Sequence, residues 1–485
     1  MPCYLKRPLF FSPATVDFKR LLLAYIVRIE VTSPFAINNI RQFIAFRVFF
    51  NARFYYPVFT ILFLDFGLTL RQFALLNAAW AAAIVLFEVP SGALADTFGR
   101  RNLLVFAGVL MVVEMALLCF VPRDSLNIVF IVFLINRVLS GAAEAAASGA
   151  DEALAYDTLK KEGVADAWGG VLEKQMRVQS IVRIGAMILG AVVYDPDLMQ
   201  RIADALGLTI ILTQDTTVRF PLFLTLVFAV MTLISTLRMR EVVADDKNNL
   251  DRKPSLKSII QAFKLTFQAG RWILTTPFAL VVITAGLVFD SIIRMLGTMN
   301  SQYYRVIDLP EASFGLISAA MGLLGIFIPK IALGLAAKRS PTINLTVMVV
   351  LTLCGLVGIT FVLPVVGLIP VIMLSSVMYL LNFFVSYYLN LITDSNQRAT
   401  VLSFKGLSYN LAYGLIGVLY SLLLAFLRHQ VKAPASHASS QDFEQVVYIA
   451  SLAWFPWVFI FSLAALLVFA RWKLRGEAYG ERIGS

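Results

Sequence analysis

Charge is what this chain has least of. Only 15% of its 485 residues are Asp, Glu, Lys or Arg, whereas 59% are hydrophobic, and the mean hydropathy is +0.79. That balance excludes an ordinary soluble fold, which cannot hide so much apolar surface. Histidine is nearly absent. His429 and His437 share one polar loop, so histidine cannot carry a proton through an apolar segment. Cysteine is scarce too: Cys3, Cys119 and Cys354 are far apart, which leaves no disulfide framework and no metal-ligand spacing. No glycine-rich phosphate-cradling loop occurs, which argues against ATP-driven transport by this chain. No nucleophile stands beside a base either, so neither an enzyme nor a cofactor is expected.

What is present is apolar length, punctuated by basic residues. Lys and Arg number 41 against 30 acidic residues, a net charge of +11. The basic groups gather at the ends of apolar runs, which is membrane topology rather than a nucleic-acid surface. A span needs about 20 residues, and from residue 42 onward the runs give twelve. The first six cover 42–64, 73–94, 102–122, 126–147, 178–195 and 218–238. The second six cover 276–299, 312–336, 343–363, 365–389, 400–427 and 446–470. The pattern predicts an all-α integral membrane protein of two six-helix halves, 42–238 and 276–470. Arg100, Arg101, Lys338 and Arg339 mark loops on the cytoplasmic side, so the tails 1–41 and 471–485 are both expected there. The linker 239–275 should carry an amphipathic helix on that surface, with Leu256, Ile259, Ile260, Phe263 and Phe267 on one face. On the other side, 196–217 is a long loop with room for a short amphipathic helix.

The halves echo each other. Phe73 opens the sequence FALLNAAW and Phe314 opens FGLISAAM, 241 positions later. Each begins the second helix of its half, as parallel repeats would.

The most distinctive stretch is 88–101, EVPSGALADTFGRR. It joins two spans by very few residues, so a tight reversal is needed, with Gly92 and Gly99 free to adopt unusual backbone angles. Asp96 just before the next helix would suit its positive N-terminal end. Gly92, Leu94, Ala95, Asp96, Gly99, Arg100 and Arg101 resemble the loop between helices 2 and 3 of major facilitator superfamily transporters; Thr97 replaces the usual basic residue. The resemblance extends over 42–470. It implies a central cavity, alternating access, and a cytoplasmic latch made by Asp96 and the arginines. Residues 148–157, SGADEALAYD, resemble a bacterial branch of that family with poorly assigned substrates.

Ionisable residues inside spans are functional candidates, because burying each costs at least about 2.5 kcal/mol. Asp290 and Arg294 are one turn apart. They either neutralise each other or bind a proton and an anion. Arg137, followed by Gly141 and Glu144, is similar to the helix 4 motif of proton-coupled facilitators. That implies a coupling role, and an ion pair of Arg137 with Glu114 or Glu144 is the alternative. Asp290, Glu114, Arg137 and Glu144 are therefore the coupling candidates. Asp151 and Glu152 are expected at a cytoplasmic gate opposite Lys174 and Arg177, with a solvated helix end as the plain alternative, preferred for Asp157. Arg53, Arg183 and Arg294 can face an anionic substrate or be spent on pairing and snorkelling, the latter preferred for Arg47. Tyr379 and Asn382 belong to a polar-aromatic stripe that either contacts a solute or packs helices. The glycines at 185 and 190 lack the proline that drug antiporters of the family place in helix 5.

Together these features predict a monomeric secondary transporter of a cell's inner membrane that moves a small organic solute with protons. Drug or amphiphile efflux, lipid flipping, and a non-transporting receptor or scaffold remain alternatives.

Overall fold

The computed structural model describes residues 33–242, 273–392, 395–431 and 440–474, together with positions 260, 264 and 271. Side chains at 92–93, 95–98, 395–400, 402–403 and 440–442 are outside that description. Most of the N-terminal tail and the amphipathic linker helix expected at 256–267 also lie outside it, save for positions 260 and 264.

Among the described residues every regular element is helical. The first half contains α1 (Asn38–Asn51), α2 (Phe59–Asp65), α3 (Leu70–Phe98), α4 (Arg100–Cys119), α5 (Leu126–Ala147), α6 (Ala150–Lys161), α7 (Trp168–Tyr194), α8 (Pro196–Ala205) and α9 (Phe220–Arg238). The second contains α10 (Pro277–Thr298), α11 (Asn300–Val306), α12 (Ser313–Lys338), α13 (Pro341–Ile359), α14 (Leu368–Ile392), α15 (Ser395–Gln430), α16 (Ser440–Leu452) and α17 (Trp454–Leu474). Eleven segments are long and apolar enough to cross a membrane. The twelfth span is made of two pieces, α1 and α2.

That break corrects the continuous span read at 42–64. Pro57 has no N–H to donate and disfavours helix at the residue before it. Residues 52–58 accordingly leave the α-helix, ending in a 3-10 turn at Tyr56–Val58. The released backbone is served by neighbouring helices, as a non-aqueous setting demands. The Phe54 N–H donates to Thr225 Oγ1 at 3.1 Å. The Phe54 carbonyl rests on Gly190 of α7, where a β-carbon would fall 1.7 Å from its oxygen.

The halves meet chiefly through α3 with α15, α7 with α12, α2 with α11, and the 3-10 turn at Tyr56–Val58 with α12. The first two are equivalent under exchange of the halves, and they use small residues that let backbones approach. Ala74, Ala78 and Ala81 on α3 face Gly414 and Gly417 on α15. The outward faces carry Leu86, Leu316, Phe461 and Val468, all exposed, as hydrocarbon contact permits.

The reversal after α3 is tighter than its sequence suggested. α3 runs to Phe98, and Gly99 alone separates it from α4, at φ 89°. Asp96 therefore sits in the last turn of α3, not ahead of α4. The N-terminus of α4 is served instead by Glu241, whose carboxylate accepts from the backbone N–H of Arg100 (3.2 Å) and Arg101 (2.8 Å). His429 likewise stands in the last turn of α15 rather than in a loop.

Replacing Gly190 tests the break directly. Gly190→Ala must push the Phe54 carbonyl away, at a cost of about 3 kcal/mol or more. A lowered unfolding temperature in detergent is expected, and an unchanged one would show that the 52–58 segment is not held there.

Candidate functional site

Between the halves lies a cavity of about 610 Å³. The broken first span forms part of its wall through Tyr56, Pro57 and Phe59. Irregular backbone at membrane depth is tolerated where it borders such a cavity. Of the residues singled out in the sequence, Arg137, Glu144, Arg183, Arg294, Tyr379 and Asn382 line it.

Arg53, Glu114 and Asp290 do not. Arg53 is only 2% exposed and Glu114 fully buried; they meet at 2.6 Å, with the Arg53 guanidinium over the Phe50 ring. Arg53 is thus committed to a buried ion pair behind the wall, not to a solute. This also corrects the pairing expected for Arg137. With Glu114 taken, Arg137 donates to Asn136 Oδ1 at 3.0 and 3.1 Å and lies over the rings of Phe59 and Phe63. Asn136 in turn donates to the Glu114 carbonyl at 3.1 Å. Among the described residues neither Glu144 nor Arg183 has an ion pair. Asp290 and Arg294 approach to 2.7 Å, and Arg294 also donates to Asn410 at 3.0 Å and lies over the Tyr413 ring. On α14 the stripe divides: Tyr379 and Asn382 reach the cavity, whereas Tyr388 accepts from Asn344 and Tyr387 stacks on Phe383.

At the Arg100 end the expected partners change. Asp151 and Glu152 meet Arg47, the former at 3.2 Å, rather than Lys174 and Arg177. Lys174 lies over Phe35 and Arg177 faces Glu173 at 3.6 Å. Asp157, read as a solvated helix end, pairs with Arg100. Arg101 donates to the carbonyls of Met239 (2.8 Å) and Leu237 (3.1 Å). The side chain of Asp96 is outside the described residues, and Gly92 has only its helical backbone within them.

The opposite end holds the residues that sequence reasoning missed. Arg305 grips Asp65 with two parallel bonds of 2.9 and 2.8 Å and reaches Glu311 at 2.5 Å. Tyr194 and Gln214 also donate to the Asp65 carboxylate. Asp195 accepts from the Ala312 N–H at 3.1 Å, and Glu444 from the Leu70 N–H at 3.1 Å. Ser301 Oγ accepts from the Thr60 N–H at 3.0 Å. Asp65, Asp195 and Thr60 with Leu70 belong to one half; their partners Arg305, Ala312, Ser301 and Glu444 belong to the other. This end is therefore tied shut. The 241-residue repeat was the available signal, because Thr60 and Ser301 are separated by that same offset. Glu88 was missed as well: one of its carboxylate oxygens is buried without a hydrogen-bond partner in α3.

Two like halves around a cavity, with the glycine and arginine reversal at one end, bring the earlier resemblance to a decision. The Major Facilitator Superfamily profile matches residues 43–427. The chain belongs to the Major Facilitator Superfamily. No curated protein sequence matches it, but solved structures do. A bacterial homolog of the human lysosomal transporter Spinster, inward-facing and unoccupied, aligns with a TM-score of 0.66 at 11% identity, over 92% of this chain and 98% of that one. The nucleoside transporter NupG gives 0.62 at 13% identity, over 88% and 99%. A D-xylose-proton symporter gives 0.57 at 12% identity, over 90% and 97%. At such identities the likeness is one of fold. The twelve spans in two halves are those of this transporter superfamily.

Two expectations follow from the charges. Glu114→Gln leaves Arg53 buried and unpaired, which should cost about 3–5 kcal/mol, while joint replacement by Arg53→Met and Glu114→Leu should cost much less; unfolding of the two variants in detergent tests the order. At the other end, burial pushes the Glu311 carboxyl above its ordinary value of 4.5, against the opposing pull of Arg305, with Asp65 and Asp195 adding to the rise. The closed end thus holds that proton more tightly than a hydrated, open one. Closure should be favoured in acid and weaken as pH climbs from that value through the raised one. Spin-label distances across this end should lengthen over that window, and Glu311→Gln should flatten the response.

Proposed function

We propose that the chain is a secondary active transporter that moves a small organic solute by alternating access, coupled to protons. It works as a monomer in the cytoplasmic membrane with both termini on the cytoplasmic side. The observation that carries this reading is the cavity between two equivalent halves, bound together at the Asp65 end by the two-pronged Arg305 contact. With the positive-inside rule placing Arg100 and Arg101 at the cytoplasm, that closed end faces outward. Rocking of the halves would exchange it for closure at the Arg100 end. Residues Gly92, Asp96, Gly99, Arg100 and Arg101 then work the inner latch, with Asp151 and Glu152 holding Arg47 beside it.

Proton coupling is supported by a single lining carboxylate. Among the described residues Glu144 is the one acidic side chain on the cavity wall, and it has no ion pair. A carboxylate of that kind can take up and release a proton as its surroundings change. Glu114 is less suited because Arg53 holds it, and Asp290 because Arg294 does. Arg137 acts next to Glu144 by keeping positive charge near it.

Proteoliposomes with an imposed pH gradient test this. Flux of at least one organic solute is expected to follow the gradient. Glu144→Gln should abolish that dependence while leaving solute exchange, and Asp290→Asn should leave coupling in place. Gradient-driven flux that persists in Glu144→Gln removes the carrier role from Glu144. Ligand-dependent stability without flux of any solute would make the protein a receptor on this fold.

A further inference from the structure

The cavity wall has an excess of positive charge that the protein does not balance. Among the described residues three guanidiniums, Arg137, Arg183 and Arg294, face it against the single carboxylate of Glu144. Arg183 lies 11 residues before the end of α7 at Tyr194, which puts it about 16 Å inside that end of the helix. Arg183 is exposed there, and a cation at such depth has to face a water-filled cavity or meet an anion. Arg183 nevertheless makes no ion pair and no hydrogen bond among the described residues, and it shares the cavity face of α7 with Met187, one turn on. Arg294 comes from α10 in the other half. Asp290 and Asn410 engage two of its nitrogens from behind, and a guanidinium carries five N–H donors. The neutralising Asp290 is itself near a second cation, Lys405, so it leaves the surplus in place.

Aromatic rings form part of the remaining wall. Trp80 of the first half meets Tyr413 of the second edge-on, with ring centroids 6.4 Å apart, and Tyr379 stands on the same wall. An inorganic ion needs no such surface, and about 610 Å³ suits a small organic molecule.

We infer that the transported solute is a small organic anion whose charged group lies between Arg183 and Arg294, and whose flat body packs on Trp80 and Tyr379. The inference rests on the transporter reading for its direction of use, but the site itself is a matter of binding. Because one arginine comes from each half, the anion also draws the halves together across the cavity.

The test uses the purified full-length chain and four probes of one size: benzoate, phenyl phosphate, benzamide and benzylamine, at matched ionic strength. Benzoate, phenyl phosphate or both should raise the unfolding temperature, and the neutral and cationic probes should not. A charge-assisted hydrogen bond removed by Arg183→Gln or Arg294→Gln should weaken binding by about ten- to a hundredfold. Arg183→Lys should keep part of the affinity, and gel filtration with each variant's own unfolding curve shows that it folds. Benzamide or benzylamine binding as well as the anions, no binding of either anion, or wild-type affinity in both folded Gln variants would overturn the inference. Anion binding without flux in proteoliposomes keeps the site and removes the transporter reading. Gradient-driven flux of a neutral solute that ignores Arg183→Gln does the reverse.

Discussion

Hydrocarbon offers no hydrogen-bond partner, so a chain that leaves the helix inside it must satisfy its exposed peptide groups from within the protein. Much of this structure answers that constraint at residues 52–58. Pro57 disfavours a continuous helix there, and three helices supply what the break exposes. Thr225 takes the Phe54 N–H, Gly190 makes room for its carbonyl, and Glu114 neutralises Arg53. The same departure from the helix turns Tyr56 and Phe59 toward the cavity. The packing of α7 and α9 against the first span is therefore tied to the shape of the site.

The charges separate into two populations. Those with fixed partners hold elements in place: Arg53 with Glu114 behind the wall, Arg47 with Asp151 and Glu152 at one end, Arg305 with Asp65 and Glu311 at the other. On the cavity wall, Arg183 and Glu144 have no such partner among the described residues. In a medium where each unpaired ion is costly, this division is itself informative, since structure accounts for the first group and function has to account for the second.

Hydropathy made the architecture legible because apolar length is a local property. The span read at 126–147 coincides with Leu126–Ala147, and the reversal near Gly99 and the two equivalent halves were visible as well. The failures concern relations between distant residues. Glu114 lies 61 positions from Arg53 and Asp65 240 from Arg305, and nothing in either neighbourhood names its partner. Pro57 was masked by the apolar run around it, so the first span looked continuous. Glu241 took the helix end that Asp96 seemed to suit, because the turn used one residue where the sequence allowed several. The charged part of the wall was nonetheless within reach: Arg137, Glu144, Arg183 and Arg294, with Tyr379 and Asn382, were marked by polarity inside spans, whereas Trp80 and Tyr413 looked like ordinary apolar filling.

Where α2 meets α11, Thr60 bonds to a residue 241 positions away, and Asp65 to one 240 positions away. These are equivalent places in the repeat, or within one residue of it, so they mark the axis relating the halves. A polar hydroxyl can face its own copy across such an axis, but a carboxylate facing its own copy would repel it. In the 241-residue register Arg305 corresponds to Leu64 and Asp65 to Val306, so two identical copies of either half would lack one partner of this bond. Joining them in one polypeptide frees the two copies to diverge, and this acid and base on opposite sides of the axis are a product of that divergence.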